Sequence, residues 1–283
     1  MRVLALVLTM LTLAACEPSG DSGYAADMRE EHDGETPTAS GATAGAAELP
    51  VTGRTVRYAD IAGDSLAGFL AVPDSATGPL PGLIVIHEWW GLNDNVRDMT
   101  RRLANEGYAA LAVDLYGGAV ATTPDSAMAI MQRTMADRES AIDNLRQAFA
   151  YLTLDLQAPA VGSIGWCFGG GMSLQTALAL PDELGAAVIY YGQVETDPAL
   201  LVDLDMPVLG LFGGADEGIP VESVRAFEAA LGEVGVANEI VVYPSADHAF
   251  ANPSGERYDA EAAEDAWGRV VAFLGAHLTG SSS

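Results

Sequence analysis

The sequence predicts an α/β fold, a mostly parallel doubly wound sheet with helices on both faces, and three observations predict it. From residue 50 onward, short apolar runs alternate with helix-like stretches. Several of those runs are nearly continuous in apolar residues, as expected of parallel strands covered on both faces. With 283 residues, 49% of them apolar, the chain is long enough to enclose one large core.

The elements follow in order. "TVRYADI" and "LAGFLAVP" read as an opening antiparallel pair with a turn near Gly63 and Asp64. "GLIVIHE", "YAALAVDLYG", "APAVGSIGW", "LGAAVIYYG", "MPVLGLFGG" and "NEIVVYP" are the strands that come next. The helical stretches between and after them are "NDNVRDMTRRLANEG", "RESAIDNLRQAFAYL", "GMSLQTALAL", "VESVRAFEAALGEVG" and "DAEAAEDAWGRVVAFLGAHL".

Ahead of this region lies an address label. Arg2 supplies a positive charge, "VLALVLTMLTLA" an apolar stretch short of the ~20 residues of a membrane span, and "LAAC" a small-residue cleavage site. Leu13 to Cys16 resembles the lipobox of bacterial lipoproteins, in which cleavage precedes the cysteine and its thiol is acylated. Residues 1–15 are therefore expected to be a signal peptide and Cys16 a lipid anchor in an exported, membrane-anchored protein, periplasmic or on the cell surface. A plain secretory signal or an uncleaved anchor is the competing reading. Residues 16–49, rich in Gly, Ala, Ser, Thr and acidic residues, bury too little apolar surface to order themselves and read as a flexible tether. His32 falls inside it and is expected to be a solvated linker residue. The folded domain is residues 50–283.

The formal net charge is −26, and all 13 basic residues are arginine. Such a surface repels phosphate backbones, which argues against nucleic-acid binding.

Of two cysteines, Cys16 is assigned to the anchor, which leaves Cys167 without an intramolecular disulfide partner. It stands in "GWCFGG", after a strand and before a helix. A Gly-x-nucleophile-x-Gly elbow turns so tightly that the positions two before and two after the nucleophile must lack side chains. The first turn of the following helix favours a thiolate there, and the Phe168 backbone N–H is placed as an oxyanion donor.

A thiolate nucleophile needs a base, and the chain has four histidines. His32 lies in the tether and His277 near the C-terminus, so both are expected at the surface. His87 precedes Cys167. His248 follows the last strand and fits the chain order nucleophile, acid, histidine. The acid is expected from "ADEGIP", with Asp216 first and Glu217 as fallback; Asp247 is too near in sequence to aim at the ring of its neighbour. Glu88 in "HEWWGLND" stands beside two tryptophans, where its proton affinity should rise, and the Trp89 backbone N–H takes the place of the second oxyanion donor.

Together "HEWWGLND", "GWCFGG", "GGADEGIP" and "ADHAF", in this order, resemble the dienelactone hydrolases, or carboxymethylenebutenolidases, of the α/β-hydrolase fold, over about residues 50 to 278. The resemblance implies Cys167 as nucleophile, His248 as base and Asp216 as its orienting acid. It also implies that Glu88 holds the resting thiol inactive until substrate binds, and that an ester or lactone is cleaved through a thioester. One departure stands out. Family members hold the substrate carboxylate with arginines, one of them four residues past the catalytic histidine, and that position here is Asn252. Arg257, Arg133 and Arg138 are the nearby alternatives.

A carboxylesterase or thioesterase for a small substrate would use the same residues. A noncatalytic binding lipoprotein would show a broken constellation, whereas all four positions are filled. No cofactor is expected, because no P-loop is present. No metal is expected either, because the histidines have no clustered partners at ligand spacing.

Overall fold

The computed structural model describes residues 28–29, 32–37 and 49–280; the expected signal peptide and Cys16 lie outside them. β1 (Val51–Ile61) and β2 (Asp64–Pro73) form the expected antiparallel hairpin. Ala62 and Gly63 make its turn at φ of 56° and 91°, two left-handed residues that match the twist of the flanking strands.

The remaining strands are β3 (Gly82–Ile86), β4 (Ala109–Ala112), β5 (Val161–Trp166), β6 (Ala186–Tyr190), β7 (Val208–Gly213) and β8 (Asn238–Tyr243). The sheet order is β1-β2-β4-β3-β5-β6-β7-β8. Every neighbouring pair from β4 to β8 is parallel, and β2 meets β4 antiparallel. Strands β3 to β7 are buried throughout, which is why their sequences lack alternation.

The helices are α1 (Asp94–Asn105), α2 (Pro124–Ala136), α3 (Arg138–Ala150), α4 (Phe168–Ala179), the single turn α5 (Pro198–Leu201), α6 (Val221–Val234) and α7 (Ala260–Leu278). They cover both faces of the sheet. On β5, a side chain at Gly162 would run into Leu278 of α7, while the next residue, Ser163, hydrogen-bonds Ser173 of α4 at 2.8 Å. Successive strand residues point to opposite faces, so α4 and α7 lie on opposite sides.

Helix α2 was not expected from the sequence. Its buried side is only Ala127 and Met131, too narrow an apolar stripe to stand out. Its start was legible, because Thr123 caps it with Ser126 in a reciprocal capping box and Pro124 occupies the first turn.

Because β3 and β5 to β8 run parallel, the loops that follow them emerge along one edge of the sheet. That edge carries Glu88 after β3, Cys167 after β5, Asp216 after β7 and His248 after β8.

Candidate active site

Cys167 sits between β5 and α4 at φ 56° and ψ −121°, a conformation that a non-glycine residue adopts only at a cost of about 1–3 kcal/mol. Its N–H donates to the Tyr190 carbonyl at 3.1 Å, which helps hold the strained turn. The flanking glycines are required by close backbone approach. A Cβ on Gly165 would strike the Gly169 carbonyl, and one on Gly169 would strike the carbonyls of Ile86 and His87. Phe168 opens α4, so its N–H has no carbonyl within the helix to bond. Among the described residues, the Trp89 N–H also enters no backbone hydrogen bond.

His248 and Asp216 meet at 2.8 Å between Nδ1 and Oδ2, with both side chains fully buried. The other Asp216 oxygen accepts from the Ile219 N–H at 2.7 Å, which fixes the carboxylate. Since a carboxylate only accepts, Nδ1 of His248 carries a proton and Nε2 faces away, with no hydrogen bond of ordinary geometry. One ring nitrogen of His248 and the Cys167 sulfur lie within 4.8 Å of each other. Burial opposes a charge on the ring, but the Cys167 thiolate and Asp216 outweigh it and raise its proton affinity well above the ordinary value. Glu217 is exposed, and Asp247 accepts the backbone N–H of His248 instead of its ring.

His87 is a structural residue. The Leu115 N–H donates to its Nε2 at 3.2 Å, so Nδ1 carries the proton and donates to the Glu88 carbonyl at 2.6 Å. Both nitrogens pin loops. His277 is exposed on α7, as expected.

Glu88 is buried, and burial lifts its carboxyl to about 7 against an attraction to His248 that works the other way. It accepts a hydrogen bond from Asn252 Nδ2 at 2.7 Å, so the residue standing where an arginine was expected holds Glu88. Of the alternative arginines, Arg257 reaches the site edge, whereas Arg133 and Arg138 line two other cavities.

His32 corrects the sequence reading. Far from being a solvated linker residue, it is buried against the site, its ring 4.6 Å from that of Trp89 and 5.5 Å from that of His248. Its Nδ1 is 2.6 Å from Glu35 Oε2, and Arg257 lies 3.1 Å from the other Glu35 oxygen. Met28 is buried beside it, and Arg29 pairs with Asp125 at 2.8 Å. Desolvation lowers the His32 ring to about 4, so it is neutral at neutral pH and can enter an apolar setting. The sequence held no sign of this, since a histidine in a polar, small-residue stretch has no periodicity to place it. The histidines were expected to have no clustered partners of the kind a metal needs; the fold instead brings His32 to Cys167 and His248, with one ligand atom of each within 4.8 Å of the others.

The dienelactone hydrolase family model matches residues 66–278. The chain belongs to the dienelactone hydrolase family. It is 35% identical over 237 residues to a protein of Escherichia coli O157:H7 named "Putative carboxymethylenebutenolidase", covering 75% of this chain and 83% of that one. A protein of the same name from Saccharolobus solfataricus is 32% identical over 260 residues, covering 77% and 96%. Among solved structures, a Klebsiella pneumoniae protein described as a "Putative Dienelactone Hydrolase" superposes with a TM-score of 0.71 at 30% identity, covering 79% of this chain and 98% of the other. The fold is that of the α/β-hydrolases, and the chain is a dienelactone hydrolase-like hydrolase. The segment carrying His32 precedes the residues that the family model matches.

Proposed function

We propose that this dienelactone hydrolase relative cleaves a small ester or lactone through Cys167. The observation that carries the reading is the buried His248–Asp216 hydrogen bond at 2.8 Å, with the far side of the imidazole turned toward a thiol on a strained elbow. In the acylation step the thiolate attacks the carbonyl carbon and forms a C–S bond, and the carbonyl electrons move onto oxygen. The Trp89 and Phe168 N–H groups are the donors for that oxyanion. Its collapse breaks the C–O bond, and the leaving alkoxide takes the proton held by His248. Water, deprotonated by His248, then attacks the thioester, and the C–S bond breaks to return the thiol and release the acid. Glu88, nearly balanced between its two protonation states and tied to Asn252, is the group we assign to restraining the thiol before substrate arrives.

The lipobox-like "LAAC" at Leu13 to Cys16 supports an exported, lipid-anchored form of the enzyme.

Hydrolysis of dienelactone and of a short aryl ester by native protein and by Cys167→Ala tests the mechanism. We expect the substitution to abolish turnover of both, a loss on the order of 10⁴-fold or more. A Cys167→Ala protein that still turns over either substrate at the native rate would rule out the assigned nucleophile. The ratio between the two substrates in the native protein reports whether an acidic lactone is preferred.

A further inference from the structure

Three soft or borderline ligand side chains, all buried, meet where the N-terminal segment crosses the domain. One ring nitrogen each of His32 and His248 and the sulfur of Cys167 lie within 4.8 Å of one another. Each imidazole is held from behind by a carboxylate, Asp216 on Nδ1 of His248 at 2.8 Å and Glu35 on Nδ1 of His32 at 2.6 Å. Asp216 accepts the Nδ1 proton of His248 and leaves its Nε2 with a lone pair when the ring is neutral; at His32, with Nδ1 donating to Glu35, the Arg257 guanidinium donates toward Nε2 at 3.4 Å, so a cation bound there must displace it. Carboxylate–histidine pairs of this kind fix tautomer and raise ligand basicity at zinc centres. Nε2 of His248 is fully buried and has no hydrogen-bond partner of its own among the described residues.

The charges agree with this arrangement. The carboxylates of Glu35 and Asp216 back the cluster and the half-titrated Glu88 lies beside it, against the Arg257 guanidinium, whose nearest nitrogen is 2.9 Å from His32 Nδ1 and 3.4 Å from Nε2. The surplus is negative. Tetrahedral zinc with one thiolate and two imidazoles holds its ligand atoms about 3.3–3.8 Å apart, so closure by about 1 Å completes the set. The movement falls to His32, since Cys167 is fixed in the elbow and His248 by Asp216.

We propose that His32, Cys167 and His248 form a binding site for a thiophilic divalent cation such as Zn²⁺, a site assembled only when the N-terminal segment docks on the domain. Binding replaces one proton, from the thiol or from the imidazolium paired with it, and releases it to solvent as the Zn–S bond forms. The fourth position is left to water. Sulfur and imidazole donors select zinc over magnesium or calcium. Bound metal engages both the nucleophile and the base, so it switches hydrolysis off. That inhibitory consequence rests on the proposed roles of Cys167 and His248, whereas the binding itself does not.

The test uses the full reduced chain. Zinc affinity is measured by competition with a chromophoric chelator, and Co²⁺ is added as a spectroscopic substitute. The expected result is one Zn²⁺ per chain, a thiolate-to-cobalt charge-transfer band, no effect of excess Mg²⁺, and binding weakened at least about tenfold in His32→Ala. Equal affinity in His32→Ala and native protein, or a cobalt complex without the thiolate band, would overturn the site. Hydrolysis measured in parallel separates the two readings. Zinc uptake with the thiolate band in a protein that hydrolyses no ester leaves the site standing and removes the proposed function. Hydrolysis that persists undiminished at saturating zinc removes the switch.

Discussion

At the scale of single residues, chemistry at this site is set by burial. Glu88, His248 and His32 would titrate independently in water, but here they are buried together and burial and neighbouring charges move each of them. Glu88 shows the consequence most clearly. Its carboxyl is raised from 4.5 to about 7, so the folded state keeps a proton that the unfolded chain releases earlier. The stability it contributes is therefore complete below about pH 4.5 and is lost as pH rises through 7. In Glu88→Gln the amide accepts from Asn252 without titrating. Urea unfolding should show native stability falling between pH 5 and pH 8 by on the order of 3 kcal/mol more than in Glu88→Gln, because each tenfold gain in proton affinity is worth about 1.4 kcal/mol. Parallel pH profiles for the two proteins would mean that Glu88 is solvated. His248 was legible at this scale and His32 was not. The first follows a strand in the right chain order, whereas nothing in the residues around the second points to a docked position.

At the scale of elements, the elbow was readable because backbone contact imposes its glycines. Gly165 and Gly169 have no room for a Cβ, so the sequence had to show them. The N-terminal segment obeys no comparable rule. It is held by a few side-chain contacts, chiefly the Glu35–Arg257 pair at 3.1 Å with side chains 19% and 16% exposed, and by burial of Met28 and His32. Cys167 is 1% exposed beneath this region, so a reagent must wait for local opening. Removing one mostly buried ion pair loosens the segment by on the order of 1 kcal/mol after allowance for screening. Alkylation of Cys167 by iodoacetamide should accordingly run roughly three- to tenfold faster in Glu35→Gln than in native protein. An unchanged rate would show that access to the thiol does not depend on this pair. Helix α2 taught the same lesson in milder form, since its capping signals were present but two buried residues gave no stripe to read.

At the scale of the whole molecule, strand order does what no local pattern can. Cys167, Asp216 and His248 span more than eighty positions of the chain, and they converge because β5, β7 and β8 deliver their following loops to one edge of a parallel sheet. The net charge of −26 belongs to this scale too. It disfavours close approach of the domain to an anionic membrane surface, so an anchor at Cys16 followed by an acidic stretch would hold the enzyme near the membrane without laying it on the lipid. Expressed in a bacterium, the native protein should fractionate with membranes and carry acyl chains by mass spectrometry, and Cys16→Ser should lose both. A native protein recovered without lipid would remove the anchor.

The sequence by itself determined the order of the strands and of the helices with a clear apolar stripe, the glycine elbow, and the identities of nucleophile, base and acid candidates, because each is written in local periodicity, in steric necessity or in chain order. Only the tertiary structure decided which nitrogen of which histidine is unengaged, that Asn252 holds Glu88, and that His32 closes over Cys167. Those facts depend on side chains distant in sequence meeting in a water-poor space, where desolvation and a few hydrogen bonds select one arrangement.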